Sequence, residues 1–433
     1  MEYYSTNNRE NPVSLREAIL RSIAPDGGVY MPGSIPVIPQ ALFNNIPDMS
    51  LTDIAYVVAT TMFGSDISPA ELNDIVKKTL TFDIPLVAIG RNRYALELFH
   101  GPTNSFKDVG ARFMARVVDY LLEQGDTCDN KLNVFVATSG DTGCAVGHGF
   151  AGMGNVNVFI FHPKGRMLRV PHESFRSPAS NIYPIGIRGT FDDCQRLVKE
   201  IYTDAELNRK MNITSANSIN IARLLPQMFY YFHAYARLLA LNPEIAKIAK
   251  IAIATPCGNL GNLTAALFSH QMGLPVNRII AAGHNNERLW GTISSGRLEV
   301  SNFNSKAMST NVARINSLFR TTPAMAEMIE CHTYNDEAVA DQIRKVYAES
   351  GYLMDRNTAM ASRAIDHSLQ PGETGVFLAT ASPEKYAVQL IGLLGDGIKL
   401  KAPEPESRYH KIDEPTLPPL FPAVRRYLLE NKI

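Results

Sequence analysis

Ile251-Ala252-Ile253-Ala254-Thr255-Pro256-Cys257-Gly258-Asn259-Leu260-Gly261-Asn262 decides the fold: a short apolar run enters a glycine-rich loop, after which Leu263, Ala266, Leu267 and His270 recur at helical spacing. A strand that feeds a helix through a tight polar loop is the repeating unit of a parallel sheet. The pattern returns along the chain, with further strands expected at 133–137, 155–161, 182–187, 278–282 and 376–379 beside this one at 251–254. Residues 1–95 differ, mixing helical patterns at 51–63 and 70–80 with the turn-rich Ala24-Pro25-Asp26-Gly27-Gly28, and read as an N-terminal cap. The expected fold class is α/β: two parallel-sheet domains, 96–240 and 241–433, free to interleave, behind the 1–95 cap domain.

In open parallel sheets, ligands gather at the carboxyl ends of the strands, so the loops there carry the chemistry. Gly258 and Gly261 allow backbone conformations that a side chain forbids, and amides at a helix start suit an anion. The Gly-Lys-Ser/Thr ending of a nucleotide loop is absent. An anion cradle and a plain strand-to-helix turn both remain open for this loop. Strand 133–137 ends in Thr138-Ser139-Gly140-Asp141-Thr142-Gly143, which suits a carboxylate or is an ordinary cap formed by Ser139 or Asp141. His162-Pro163-Lys164-Gly165-Arg166, with Arg169 beyond it, offers cations for a dianion or is a solvated loop. Ser215-Ala216-Asn217-Ser218-Ile219-Asn220 and Arg223 add polar groups ahead of Phe229-Tyr230-Tyr231-Phe232, aromatics assigned to the core. The last strand runs into Thr380-Ala381-Ser382, where a hydroxyl faces a heterocyclic nitrogen or caps the following helix.

Lys107 is the one side chain placed for covalent catalysis. It follows the turn Gly101-Pro102-Thr103, and Val109, Phe113 and Val117 then continue at helical spacing, so it is expected near a helix start. The positive end of a helix dipole favours the neutral, nucleophilic form of an amine, which condenses with an aldehyde.

Composition narrows the class. Lysine plus arginine equals aspartate plus glutamate, 42 each in 433 residues, so no global field attracts nucleic acid or an anionic membrane, and a small-molecule substrate is expected. Five scattered cysteines without a Cys-x-x-Cys pair indicate neither disulfides nor a metal site. No apolar run approaches the length of a membrane span, no export signal is evident at the N-terminus, and a cytoplasmic location is expected.

Taken in order, Tyr4-Ser5-Thr6, Ala24-Pro25-Asp26-Gly27-Gly28, Glu97-Leu98-Phe99-His100-Gly101-Pro102-Thr103, Phe106-Lys107-Asp108, Ser139-Gly140-Asp141-Thr142-Gly143, Ser215-Ala216-Asn217-Ser218-Ile219-Asn220 and Gly258-Asn259-Leu260-Gly261-Asn262 resemble the threonine synthase family over essentially the whole chain. These are pyridoxal 5'-phosphate enzymes of fold type II, and the bacterial and fungal branch carries an N-terminal domain. The resemblance implies a cofactor in the cleft between two α/β domains, attached to Lys107 and flanked by Phe106 and Asp141. It implies a phosphate cradle at Gly258, Asn259, Leu260, Gly261 and Asn262, and the Thr380 hydroxyl beside the ring nitrogen. Substrate binding falls to Thr138, Ser139, Gly140, Thr142, Ser215 and Asn217, with Lys164, Arg166 and Arg223 nominated for the substrate phosphate. The implied reaction turns O-phospho-L-homoserine and water into L-threonine and phosphate, in a monomer or homodimer. Asn104-Ser105, Asn357 and Ser382-Pro383-Glu384 depart from the family pattern. The competing readings are a related lyase releasing 2-oxobutyrate, a non-catalytic cofactor-binding protein and, less compatible with the loops, a kinase.

Overall fold

The computed structural model describes residues 1–125, 131–165, 181–243, 250–284, 311–319, 322–395, 398, 400 and 414–430. The chain divides into two compact units that interleave: Met1 with 32–106 and 224–403 in the first, 2–31 with 107–223 and 404–433 in the second. The segment 1–95 is thus shared between them, and the chain crosses from the first unit to the second at the Phe106–Lys107 peptide bond.

The first unit is built on a six-stranded sheet in the order Ile329–Thr333, Arg278–Gly283, Ile251–Pro256, Thr374–Ala379, Arg93–Glu97, Leu86–Gly90. All neighbours run parallel except the last pair. Its strands read as near-continuous apolar runs because helices such as Arg356–Ser368 cover them, and Ala252, Ala254, Ile280 and Phe377 are buried together with Ala361 and Ile365 of that helix. The second unit holds a five-stranded parallel sheet, Thr416–Leu417, Ile182–Ile187, Val156–Pro163, Leu132–Ala137, Asn212–Ser215. Phe135, Phe159 and Tyr183 sit opposite one another across three adjacent strands, with ring centroids 4.8 and 5.2 Å apart, so one face of the sheet is ruled by an aromatic ladder.

Helix starts follow their caps. Ser50 closes a capping box on Leu51–Phe63, Ser68 precedes Pro69–Thr79, and Thr190 closes a second box on Phe191–Thr203. The run Phe229 to Phe232 is fully buried in helix Met228–Leu241, as expected.

A buried polar network ties the N-terminal helix Leu15–Arg21 to the loop after strand Asn212–Ser215, all within the second unit. Ser22, at φ 64°, accepts the Ser215 N–H at 3.0 Å, and its hydroxyl lies 2.6 Å from that of Thr214. The Asn220 amide reaches the Ile19 carbonyl at 2.9 Å, Ser22 Oγ at 2.7 Å and the Ser215 carbonyl at 3.1 Å, while its oxygen accepts the Ala222 N–H at 2.9 Å. Every group in such a network needs its partner, because an unmatched polar atom in the interior costs the full desolvation penalty. Asn220→Ala should therefore lower stability by about 1–3 kcal/mol, read as a shifted urea midpoint of the 215–220 loop's unit; an unshifted midpoint would show the network to be dispensable.

Candidate active site

Lys107 is the first residue of helix Lys107–Glu123. The turn before it is held within the first unit by a short ladder: Ser105 pairs antiparallel with Ala381, the Ser382 N–H donates to Asn104 O at 3.1 Å, and the Phe106 N–H donates to Thr380 O at 3.0 Å. Asn104 takes φ 53°, a conformation asparagine tolerates better than most side chains do, which suits the residue found at this departure from the family pattern. Within the second unit the Lys107 amine lies 3.3 Å from the Asp141 carboxylate, each side chain 24% exposed. Position and partner thus leave the amine accessible and oriented.

The loop bearing Asp141 is organised by Thr138. Its hydroxyl accepts the N–H groups of Gly140 and Gly143, both at 2.9 Å. The cap expected from Ser139 or Asp141 is not what forms: Gly140 occupies the N-cap of helix Asp141–Phe150 without a side-chain bond, and Thr138 performs the capping from two residues upstream. Gly140 sits at φ 145°, and a Cβ at this position would meet nothing within 4 Å, so glycine is required for conformation rather than space. Ser139 is exposed and Thr142 half-buried, side by side with these amides.

Asn217 pairs both ends of its amide with the backbone of Ala137, accepting its N–H at 3.2 Å and donating to its carbonyl at 3.1 Å, while Ser215 Oγ accepts the Asn217 N–H at 3.1 Å. The 215–217 segment and the end of strand Leu132–Ala137 are thereby one structure. Arg223, only 6% exposed, donates from Nε to Ala216 O at 3.0 Å and from Nη1 to Lys107 O at 2.9 Å. Lys164 is exposed, its N–H bonded to Ile187 O at 2.7 Å and Gly165 beyond it at φ 84°. Arg166 and Arg169 lie outside the described residues.

In the first unit, strand Ile251–Pro256 ends in the loop before helix Gly261–Gln271. The left-handed position belongs to Leu260, at φ 59°, and to neither of the two glycines that the sequence offers for it. Gly258 instead borders open space, with no atom within 4 Å of where a Cβ would stand. The loop is pinned from three sides: the Cys257 N–H donates to Ala282 O at 2.7 Å, Tyr231 donates to Asn262 O at 2.9 Å, and the Asn311 amide donates to Asn259 O at 2.7 Å. First-turn amides of a helix have no intrahelical acceptor, which makes this loop rich in donors of the kind an anion meets. Burial pushes the Cys257 thiol up to about 12 and raises the Tyr231 phenol well above its ordinary value, so both act here as neutral packing and donor groups.

Thr380 is 5% exposed, and its N–H donates to Thr358 Oγ1 at 3.3 Å. Thr358 in turn donates to Asp355, the buried N-cap of helix Arg356–Ser368, which also receives the Asn357 N–H at 2.9 Å. Ser382, not Thr380, caps the turn Pro383–Tyr386. Asn357 thus contributes a backbone bond here, and nothing in the structure explains the choice of asparagine.

The residues that sequence reading overlooks are Tyr231, Asn311, Thr358 and Asp355. Tyr231 reads as core, where its ring belongs; the signal is its hydroxyl, since a buried tyrosine seeks a partner for its polar end.

Comparison with known proteins places these elements in context. Residues 2–80 match the family model described as threonine synthase N terminus, and residues 76–381 match that of pyridoxal-phosphate dependent enzymes. The threonine synthase of Haemophilus influenzae is 33% identical over 442 residues, spanning all of both chains. That of Saccharomyces cerevisiae is 36% identical over 317 residues, 69% of this chain and 61% of the yeast one. Among solved structures, Escherichia coli threonine synthase superposes with a TM-score of 0.85 at 31% identity over the whole of both chains. The pyridoxal-phosphate-bound threonine synthase of Brucella melitensis gives 0.84 at 29% identity over 99% of each.

Two expectations follow from the loop geometry. Thr138→Val removes the acceptor for two amides and should cost about 0.5–2 kcal/mol, whereas Thr138→Ser should cost little; equal thermal midpoints for the two variants would refute the capping role. At pH 8 a thiol at about 12 is ionised in roughly one molecule in ten thousand. Iodoacetamide should therefore leave Cys257 unmodified in the folded protein and alkylate it after denaturation, as peptide mass mapping would show.

Proposed function

The chain belongs to the threonine synthase family of pyridoxal-phosphate-dependent enzymes, and we propose that Lys107 is the residue through which it carries its cofactor. It converts O-phospho-L-homoserine and water to L-threonine and inorganic phosphate. One observation supports the residue assignment above the rest: an accessible lysine amine at a helix start, 3.3 Å from a carboxylate in a strand-end loop.

The residues suit pyridoxal phosphate. The open face at Gly258 and the helix start at Gly261 fit its phosphate, with Asn259, Leu260 and Asn262 completing the cradle. Thr380, a hydroxyl at the end of a central strand, is assigned to the ring nitrogen, and Phe106 and Asp141 flank the attachment point. When bound, the cofactor supplies an aldehyde for attachment and a conjugated ring that takes up electron pairs released at substrate carbons.

The chain's own groups do the rest. Lys107 Nζ would serve as the base that moves protons at the substrate Cα and then Cβ, with Asp141 keeping it oriented. The Thr138, Ser139, Gly140 and Thr142 loop, joined to Ser215 and Asn217, takes the substrate carboxylate. Lys164 and Arg166 are assigned to the substrate phosphate, whose departure from Cγ leaves a carbon framework that water enters at Cβ. Balanced charge and scattered cysteines without a Cys-x-x-Cys motif support a cytoplasmic enzyme, assigned as a monomer or homodimer. Among the described residues no helix is long and apolar enough to cross a membrane.

The decisive measurement is borohydride reduction of the protein loaded with pyridoxal phosphate, followed by peptide mapping. Lys107 should carry the label, Lys107→Ala should lose both the absorbance band near about 420 nm and phosphate release, and the amino-acid product should be threonine. Label on a different lysine would sink the assignment, and 2-oxobutyrate in place of threonine would move the chain to the related lyases.

A further inference from the structure

We propose that Arg223 is a positioning residue for Lys107 and not a ligand of the substrate phosphate, an inference that rests on Lys107 being the cofactor lysine. The guanidinium is buried and forks between two carbonyls of the second unit, Ala216 O through Nε and Lys107 O through Nη1. Ala216 precedes Asn217, whose side chain is locked on Ala137, so the fork connects the carboxylate-binding loop to the first peptide of the catalytic helix.

The approach is close by construction. Gly110, one turn beyond Lys107, faces the same arginine, and a Cβ there would stand 2.6 Å from the Arg223 carbonyl oxygen and 3.1 Å from Nη1. Glycine in a helix interior costs about 1 kcal/mol relative to alanine, and its presence is explained by this contact. The arginine is itself set by its own N–H, which donates to Asn220 O at 3.0 Å, within the loop anchored on Ser22.

A cation beside a helix start is electrostatically unfavourable, so attraction to the dipole does not explain it. A rigid planar fork does: two donors in fixed relation hold two carbonyls at a fixed separation, which an ammonium point charge cannot reproduce. Fixing the carbonyl of Lys107 fixes the peptide plane that leaves its Cα, and through it the direction of the side chain. Loosening that plane should misplace the amine during proton transfer while leaving substrate binding intact.

The test compares Arg223→Lys, Arg223→Gln and Gly110→Ala with the wild type, each loaded with pyridoxal phosphate. The expected result is a kcat lowered ~10- to 100-fold, with KM for O-phospho-L-homoserine and the inhibition constant of inorganic phosphate within about threefold. The rate at which the cofactor-free protein takes up pyridoxal phosphate covalently, followed near about 420 nm, should fall in the same order as kcat. A KM and a phosphate inhibition constant raised about tenfold or more, with kcat and uptake rate unchanged, would return Arg223 to the substrate phosphate and overturn the proposal. Kinetics unchanged in all three variants, or losses recovered fully at lower temperature where the fold is intact, would overturn it as well. Failure of wild-type Lys107 to take the borohydride label is a separate outcome that strikes the cofactor assignment itself.

Discussion

The site depends on holding one peptide unit still, that of Lys107. A lysine side chain has a flexible four-carbon stem, and its amine is useful only if both ends of the stem are defined. Asp141 defines the far end. At the near end the preceding residue is tied through Phe106 N–H to Thr380 O, and the lysine's own carbonyl is tied to Arg223. Each of these bonds lies within its own unit, and the chain passes from one unit to the other at the Phe106–Lys107 bond. On its N-terminal side the lysine follows a turn held by explicit hydrogen bonds, and on its C-terminal side it opens a helix whose first carbonyl also meets Arg223.

The same economy recurs in the other loops. Thr138 caps two amides, Asn217 pairs with the backbone of Ala137, Asn311 and Tyr231 hold carbonyls of Asn259 and Asn262, and Thr358 holds the amide of Thr380. Polar side chains at the strand ends are spent on main-chain groups that would otherwise be buried unpaired. What remains to meet a ligand is the set of first-turn amides and a few accessible side chains such as Ser139 and Lys164. Tight, fully paired supports are what allow loops, ordinarily the mobile part of a fold, to present donors at fixed positions.

This division explains what could be read in advance. The apolar runs gave the strands to within two residues because parallel strands covered on both faces have no other way to be satisfied; Ile182–Ile187 coincides with its expected bounds. Arg93–Glu97, Asn212–Ser215 and Ile329–Thr333 escaped because they are short and carry polar residues that blur the run. Lys107 and the Thr138 to Thr142 loop were legible because strand, loop and helix start are contiguous in sequence. The supports were not, since they join residues 116 apart in the case of Arg223 and Lys107, 52 in that of Asn311 and Asn259, and 193 in that of Ser22 and Ser215. Composition cannot reveal which distant carbonyl an arginine will meet, nor that Leu260 and not Gly258 would take the left-handed turn.

Charge is where sequence and structure part most clearly. Arginines invite assignment to anions, yet Arg223 holds carbonyls, and Arg314, fully buried and pushed down to about 9 by desolvation, donates to the Asn311 that holds the carbonyl of Asn259. Removing a guanidinium from water is costly, and the cost is offset only when its donors meet acceptors in good geometry, which backbone carbonyls provide without a net charge. With both buried guanidiniums bonded to groups of the chain and no excess of either sign over the chain, attraction for an anionic substrate has to be local. Hydrated or neutral donors would give that attraction in a form suited to turnover. A dianion gripped by a desolvated guanidinium would be bound as tightly after cleavage as before it, whereas hydrated and neutral donors bind well enough to orient the leaving group and weakly enough to release it.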